Sequence, residues 1–399
     1  MKRILVYIGL CLVLTIPACS DDTFDSTLVA DGIESGQDYS HIIEMAKEAF
    51  AGLHSGARSA EMAEVASVTP WLTRQIYAGQ TNLSRAGVRI LPDTLLYIVN
   101  FADKAGCVLV ADNDEIQGPV AILPRQNLYP TEYTGENNGF KLYMDMFRDA
   151  YLNGTLGDQI FSDSLDKSLR DSLLNPNLKW ITTDSIRPSV KQQWGQKSPF
   201  NYFCLTGSGE QAVAGCVPVA IGELLAHYKY PDAINNYKIE WEKLQGDFPY
   251  GAEDQKMASR LIHELGVISK VKYGVKYSST SVGNMKAALD SLKLKYKHEG
   301  HITDLLLRYI MKNYGPALLY GAPKDNPLKG HEWIIDGFLT QIRFSNNQVR
   351  YMIYCNWGDY GNKNGYYLTN AFNPSGIDSI SDIYSYNLQV TYLTEPPGN

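Results

Sequence analysis

The sequence has 399 residues, of which 44% are hydrophobic, so it is long enough for about two domains with packed cores. Its net charge of -7 and the lack of a basic cluster argue against nucleic acid as a partner. Six cysteines are present but none form a Cys-x-x-Cys pair, which argues against a zinc ribbon or a thioredoxin-type redox motif.

The N-terminus has the pattern of a signal peptide over residues 1–18. Lys2 and Arg3 supply a positive start, and residues 4–16 are apolar but too short to remain in a bilayer as a spanning helix. The sequence Ala18-Cys19 then resembles a bacterial lipobox, which implies cleavage before Cys19 and a lipid on its sulfur. An ordinary signal peptide cut nearby is the alternative. The acidic residues that follow favour export to the outer membrane or cell surface, where processing would release the body of the protein.

The next segments predict a tether and a small α+β module. Residues 19–37 are polar and rich in Gly, Ser and Asp, as flexible tethers are. Residues 38–185 contain no catalytic set, so we expect a non-catalytic role for them. The predicted elements of this module are helices at 39–53, 140–151 and 160–174, and strands at 95–101, 107–111 and 118–123.

The second half, residues 186–399, changes from helical to strand patterns along the chain. Apolar residues with helical spacing predict helices at 216–228, 257–268, 285–292 and 305–310. Short apolar runs then predict strands at 317–320, 331–338, 349–356, 365–368 and 388–392. A helical lobe followed by an antiparallel β lobe leaves room for a site between the two.

The candidate nucleophile is Cys216, which follows Gly215 at the predicted start of a helix. The helix dipole and the unpaired N–H groups at this position favour a thiolate. A thiolate needs a base and an oxyanion site before it can carry out acyl transfer. Taken alone, a cysteine here is more often a buried small hydrophobe.

Other positions supply the missing groups. His331 begins one apolar strand and Asn356 ends the next, so neighbouring strands can bring the two together. His331 would take the thiol proton, and the amide oxygen of Asn356 would accept from the other imidazole N–H. Trp357 would shield that hydrogen bond, and Gln196 would donate to the oxyanion together with the N–H of Cys216.

Four motifs occur in a fixed order. They are Gln-x-x-Pro-Phe-Asn at 196–201, Gly-Cys-Val-x-x-Ala at 215–220, Gly-His-x-x-x-Ile-Asp-Gly at 330–337 and Asn-Trp-Gly at 356–358. Together they resemble the streptopain family of bacterial cysteine proteases, within the papain superfamily. The resemblance covers nearly all of the second half, and the hairpin at 97–111 resembles the propeptide of that family.

The resemblance implies a zymogen. Residues 38–185 would be an inhibitory and folding propeptide, and residues 186–399 a papain-like, two-lobe catalytic domain. It also implies the dyad of Cys216 and His331, with Gln196 at the oxyanion hole, Asn356 and Trp357 in support, and Gly215 and Gly330 flanking the dyad. Proteins or peptides would be the substrates, with an apolar residue two before the scissile bond, and no cofactor or metal is implied.

Five residues depart from the family pattern: Pro218, Val219, Glu332, Cys355 and Asp359. Pro218 stands where small residues are usual, although the first helical turn tolerates it. Val219 also stands where small residues are usual. Asp359 replaces an aromatic residue, and Cys355 beside Asn356 is expected to face the other side of its strand.

Glu332 follows the histidine where a small residue is commoner. We expect its side chain to point to solvent; the alternative is that it lies close to His331, where its charge would raise the pKa of the imidazole.

Two alternatives to a protease stay open from the residues alone. One is a surface lipoprotein that uses a protease-like fold as a binding or inhibitory module. The other is a different thiol acyl transferase, since the same groups serve both reactions. The presence of Gln196 and Asn356 favours an enzyme, because a binding scaffold would need neither.

Overall fold

The computed structural model describes residues 38–54, 63–77, 90–113, 116–130, 139–154, 156, 159–160, 180–246, 250–343, 348–372 and 386–398. The predicted signal peptide, the tether and Cys19 lie outside the described residues. The predicted helix at 160–174 also lies outside them, except for its first residue.

The described helices agree with the apolar periodicity of the sequence. They are α1 (Ser40–Ala51), α2 (Thr73–Ile76), α3 (Gly139–Asn153), α4 (Cys216–Tyr228), α5 (Ala252–Ile268), α6 (Val282–Ser291) and α7 (Asp304–Asn313). Short 3-10 helices lie at Gly52–His54, Ala102–Lys104, Trp241–Leu244, Pro327–Lys329 and Thr369–Ala371. Within the described ranges, no helix has both the length and the apolar character needed to cross a bilayer.

The strands include every one that the sequence predicted, and several more. They are β1 (Val65–Leu72), β2 (Thr94–Phe101), β3 (Gly106–Asp112), β4 (Gln117–Pro124), β5 (Gln159–Ile160), β6 (Ile181–Ile186), β7 (Ala233–Ile234), β8 (Tyr237–Lys238), β9 (Tyr296–Glu299), β10 (Ala317–Pro323), β11 (His331–Arg343), β12 (Gln348–Asn356), β13 (Gly365–Leu368) and β14 (Tyr386–Leu393). The sequence pattern did not predict β1, β5, β6, β7, β8 or β9. Pro70 interrupts β1, the two-residue strands β5, β7 and β8 are too short to give a pattern, and β6 and β9 are mostly polar, as edge strands can be.

One antiparallel sheet joins the two halves of the chain. Its strand order is β1-β2-β3-β4-β13-β12-β11-β10-β14-β9, with β6 beside β11 and β5 beside β12. The join is made by β4 and β13, where Ile122 pairs with Tyr366 and Ala121 with Tyr367. The N-terminal α+β module therefore continues the sheet of the second half.

The central strand β11 bends at Gly337. Its first half pairs with β10, and its second half pairs with β6. The bend requires a backbone φ of 128° at Gly337, a conformation that glycine adopts without strain. His331 lies at the free start of this strand, where β10 ends.

Two buried clusters lie on opposite faces of β11. The α3 core includes Tyr143 of α3, Trp333 and Trp357. The α4 core includes Val219 of α4 and Ile334. Neighbouring residues of a strand point to opposite faces, so residues 331, 333 and 335 belong to the α3 side and residues 332 and 334 to the α4 side.

Helix α4 is enclosed by the rest of the second half. Every residue from Val217 to Ala226 is buried. A helix that is apolar on all sides belongs in the interior of a protein. The burial fixes the direction of α4 and places its first residue, Cys216, at the surface of the cleft.

Candidate active site

The start of α4 is set by Gly215. This residue caps the helix with a φ of 92°, which a side chain would strain. The N–H of Ala214 donates to the carbonyl of Gln196 at 2.8 Å and ties the nucleophile segment to the candidate oxyanion segment. The predicted position of Cys216 at a helix N-terminus is confirmed.

The thiol of Cys216 is neutral in this arrangement. Burial raises its pKa to about 11, and the backbone N–H groups of Glu332, Cys216 and Val217 oppose that rise only in part. The position at a helix start therefore does not produce a thiolate here, because the cost of desolvating the anion outweighs the dipole.

A cleft of about 640 Å³ opens at the thiol. Gln196, Cys216, His331 and Trp357 all border it, together with Gly215 and Gly330. The structure thus gathers four of the predicted site residues and both flanking glycines around one cavity, although they come from distant parts of the chain.

The imidazole of His331 is on the α3 face of β11. Its ring stacks on Trp333, with centroids 6.0 Å apart and an interplanar angle of 18°. Its Nε2–H donates to the carbonyl of Trp357 at 2.9 Å. Burial lowers the pKa of His331 to about 4, so the ring is neutral at pH 7.

Helix α3 closes against that ring. A methyl group built on Gly139, the first residue of α3, would overlap the indole of Trp357 and lie 2.6 Å from Cδ2 of His331. The absence of a side chain at Gly139 is therefore what allows α3 to approach the imidazole so closely.

Asn356 does not bind the imidazole in this structure. Its Nδ2 donates to the carbonyl of Gln192 at 3.0 Å and to Glu223 at 3.2 Å. Its Oδ1 accepts from Nδ2 of Asn364 at 2.8 Å and from the N–H of Gly358 at 3.3 Å. The amide is buried, and each of its polar atoms has partners.

Trp357 is anchored in the α3 core. Its Nε1–H donates to the carbonyl of Lys363 at 2.9 Å and to the hydroxyl of Tyr367 at 3.1 Å. Its ring lies 5.2 Å from that of Trp333. Trp357 was predicted to shield a hydrogen bond between Asn356 and His331, but the two side chains are not hydrogen-bonded in this state.

Glu332, rather than His331, is on the side of the thiol. The expectation that it points to solvent is wrong: only 2% of its surface is exposed, and neither carboxyl oxygen has a hydrogen-bond partner among the described residues. Burial raises its pKa to about 8, and its charge would raise the pKa of Cys216. Tyr320 lies opposite Glu332 on β10, and burial, together with the charges of Cys216 and Glu332, raises the pKa of its phenol.

Sequence reasoning missed two residues of the site. Gly139 carries no chemical signal of its own. Glu223 stands as a lone acid in the apolar sequence of α4, which is the signal that could have identified it. Among the described residues, no group of three or more His, Cys, Asp or Glu side chains could hold a metal ion.

Known proteins resemble this chain in sequence and in fold. Residues 194–367 match the model of the Peptidase C10 family. The chain is 25% identical over 342 residues to the thiol protease/hemagglutinin PrtT of Porphyromonas gingivalis, covering 77% of this chain and 38% of PrtT. A prointerpain A fragment of Prevotella intermedia superposes with a TM-score of 0.54 at 17% identity, over 79% of this chain and 96% of the fragment.

The fold is therefore that of the prointerpain A fragment, with helices packed on an antiparallel sheet and an N-terminal α+β module, and the predicted fold class is confirmed. Within it, residues 194–367 are similar to the Peptidase C10 family, the family of streptopain. The chain spans well under half the length of PrtT.

We predict that replacing Glu332 by Gln stabilises the full-length chain only above acidic pH. The unfolded chain loses the proton of Glu332 near its ordinary pKa of 4.5, whereas the folded chain keeps it until about pH 8. The folded state binds more protons across this window, so its stability falls as the pH rises from about 4.5 to 8. Glutamine removes that loss.

The measurement is the thermal midpoint of Cys216→Ala and of Cys216→Ala with Glu332→Gln, each near pH 4 and near pH 8. We expect equal midpoints near pH 4 and an increase of about 2 °C or more near pH 8. An offset of the same size at both pH values would contradict the burial of an unpaired carboxyl group.

Proposed function

We propose that this chain is an exported cysteine endopeptidase made as a zymogen, with Cys216 as the nucleophile and His331 as its base. The observation that carries the proposal is the convergence of Gln196, Cys216 and His331 on one cleft at the start of a buried helix. The match of residues 194–367 to the Peptidase C10 family and the similarity of the chain to PrtT, a thiol protease, support it.

The proposed reaction follows the usual order of thiol acyl transfer. His331 takes the proton of Cys216, and the thiolate attacks the carbonyl carbon of the peptide. Gln196 and the N–H of Cys216 donate to the oxyanion, and the imidazolium then protonates the leaving amine. Water hydrolyses the acyl-enzyme with imidazole as the base. Asn356 would accept from the second imidazole N–H.

The described state is the latent form in this proposal. Neutral Cys216 and neutral His331 cannot form a thiolate–imidazolium pair, and the imidazole is held on the face that α3 covers. Residues 38–185, which include α3, would act as the inhibitory propeptide. Their removal would free His331 to turn toward the thiol.

The alternative of a non-catalytic binding module has one observation in its favour: the imidazole donates to the carbonyl of Trp357 and has no hydrogen bond to the thiol among the described residues. The close approach of α3 at Gly139 accounts for that position of the ring. Latency therefore explains the same geometry and also gives Gln196 a role. Other thiol acyl transferases use the same groups. A protease releases a free carboxylic acid, whereas another transferase passes the acyl group to a different acceptor.

We predict that Cys216→Ala abolishes both casein cleavage and the shortening of the chain on incubation. Loss of the nucleophile from a set of catalytic residues that act together lowers the rate by about a millionfold. The measurement is mass spectrometry of wild type and variant side by side, with E-64 labelling of the processed wild type. A processed wild type that neither cleaves casein nor takes up E-64 at Cys216 would exclude the enzyme and favour the binding module.

We also predict that Gly139→Val hastens activation. The added side chain overlaps Trp357 and His331, and such overpacking costs about 1–3 kcal/mol, or about a five- to 150-fold shift away from the latent state. The measurement is the rate of iodoacetamide labelling of Cys216 in the unprocessed chain. Gly300→Val is the matched control, because a Cβ there would meet nothing within 4 Å. Equal labelling rates in Gly139→Val and wild type would show that α3 does not hold His331.

Export and lipidation form a separate part of the proposal. The positive start, the apolar run at 4–16 and the Ala18-Cys19 sequence support a lipid anchor at Cys19 and a place at the outer membrane or cell surface. The substrates would be proteins or peptides outside the cytoplasm, and the membrane would be met only through the anchor.

We predict that Cys19→Ser abolishes the incorporation of radiolabelled palmitate into the chain in bacterial cells. The lipid requires the sulfur of Cys19, so the variant should also move from the membrane fraction to the soluble one. Cys11→Ser, within the apolar run, is the control and should keep the label. Equal labelling of wild type and Cys19→Ser would exclude the anchor.

A further inference from the structure

Glu223 is a buried acid in the middle of the apolar helix α4. It lies seven residues, or two helical turns, after Cys216 and is fully buried. Burying a carboxyl group costs free energy unless hydrogen bonds compensate it. Burial raises the pKa of Glu223 well above its ordinary value, and two hydrogen bonds oppose the rise.

Those two hydrogen bonds join the separate parts of the site. Oε1 accepts from the N–H of Trp194 at 2.8 Å, two residues before Gln196. Oε2 accepts from Nδ2 of Asn356 at 3.2 Å. A single carboxyl group on the nucleophile helix thus holds both the oxyanion segment and the residue proposed to support the imidazole.

Glu223 is one of the partners that decide which way the amide of Asn356 points. The two ends of an asparagine amide have nearly the same shape, so the neighbours determine which is the donor end. Glu223 and the carbonyl of Gln192 both accept from Nδ2. The acceptor Oδ1 is therefore directed to the opposite side.

One peptide group, between Trp357 and Gly358, lies between Oδ1 of Asn356 and the imidazole of His331. The carbonyl of Trp357 accepts from Nε2–H of His331, and the N–H of the same peptide, which belongs to Gly358, donates to Oδ1 of Asn356. The N–H and C=O of a trans peptide point in opposite directions, so Oδ1 lies across this peptide from the imidazole, and it also accepts from Nδ2 of Asn364 at 2.8 Å.

We propose that Glu223 is a positioning residue, which holds Nδ2 of Asn356 so that Oδ1 faces the catalytic imidazole. The inference rests on the proposed function, since it assigns a role within that mechanism. In the active form, His331 would donate to Oδ1, which stabilises the imidazolium of the ion pair. A reversed amide would present Nδ2 to the imidazolium and destabilise it.

The test is Glu223→Gln in the processed enzyme. Glutamine has the same shape but can place an N–H2 group against Nδ2 of Asn356, which removes the acceptor and favours reversal of the amide. We expect kcat to fall about ten- to a hundredfold with KM nearly unchanged, as for other groups that orient a catalytic residue. The alkaline limb of the kcat/KM profile should move to lower pH, because the imidazolium loses its proton more readily.

Glu264→Gln is the matched control. Glu264 is a buried acid on α5 that also accepts from an asparagine amide, Nδ2 of Asn235 at 2.8 Å, but has no contact with the site. The Glu264→Gln variant should leave the alkaline limb of the kcat/KM profile where it is in wild type. Glu223→Asp keeps the carboxyl group but withdraws it by one methylene, and it should move the limb in the same direction if Glu223→Gln does not fold.

A double-mutant cycle separates positioning from a general structural role. If Glu223 acts through Asn356, the pair Glu223→Gln with Asn356→Ala should show the same alkaline limb as Asn356→Ala alone. Effects that simply add, or an unmoved limb in an active Glu223→Gln enzyme, would overturn the inference and leave the proposed function intact. An inactive, unlabelled wild type would overturn both.

Discussion

The alternation of side chains along β11 governs the chemistry of this molecule. Neighbouring residues of a strand point to opposite faces, so His331 and Glu332 cannot both face the thiol while the backbone stays regular. In the described arrangement, Glu332 faces the thiol of Cys216 and His331 faces the α3 core. A working dyad therefore requires a change in the backbone at the start of β11, where β10 ends and no strand bonds have to be broken beyond the first pair.

The continuous sheet explains how a distant segment can impose that arrangement. Strands β4 and β13 pair across the two halves, and α3 packs on the same face as Trp333 and Trp357. His331 is thus part of a core that both halves build. Removal of the N-terminal half would expose the apolar surface beneath α3 and take away the packing that keeps the imidazole on that side.

The sequence predicted the parts of the site that depend on local pattern. Cys216 follows a glycine at the start of an apolar helix, and His331 and Asn356 occupy ends of apolar strands, so their positions could be inferred without the structure. The orientation of Glu332 could not, because its face depends on the placement of β11 between two cores. The residues 38–185 were expected to be separate from the catalytic half. The boundary at 185 stays a prediction, although β6 crosses it and pairs with β11.

The hydrogen-bond partners of Asn356 could not be predicted from the sequence either, and they matter for function. An Asn-Trp-Gly sequence indicates a supporting amide but not the direction in which that amide points. The direction comes from several partners, among them the carbonyl of Gln192 and Glu223, and Glu223 is 133 residues away in the chain and meets Asn356 only because α4 is enclosed by the fold. The burial of α4 therefore does two things at once. It raises the pKa of the Cys216 thiol, and it gives the carboxyl of Glu223 the dry surroundings in which its hydrogen bond helps the carbonyl of Gln192 to hold the amide of Asn356 in place.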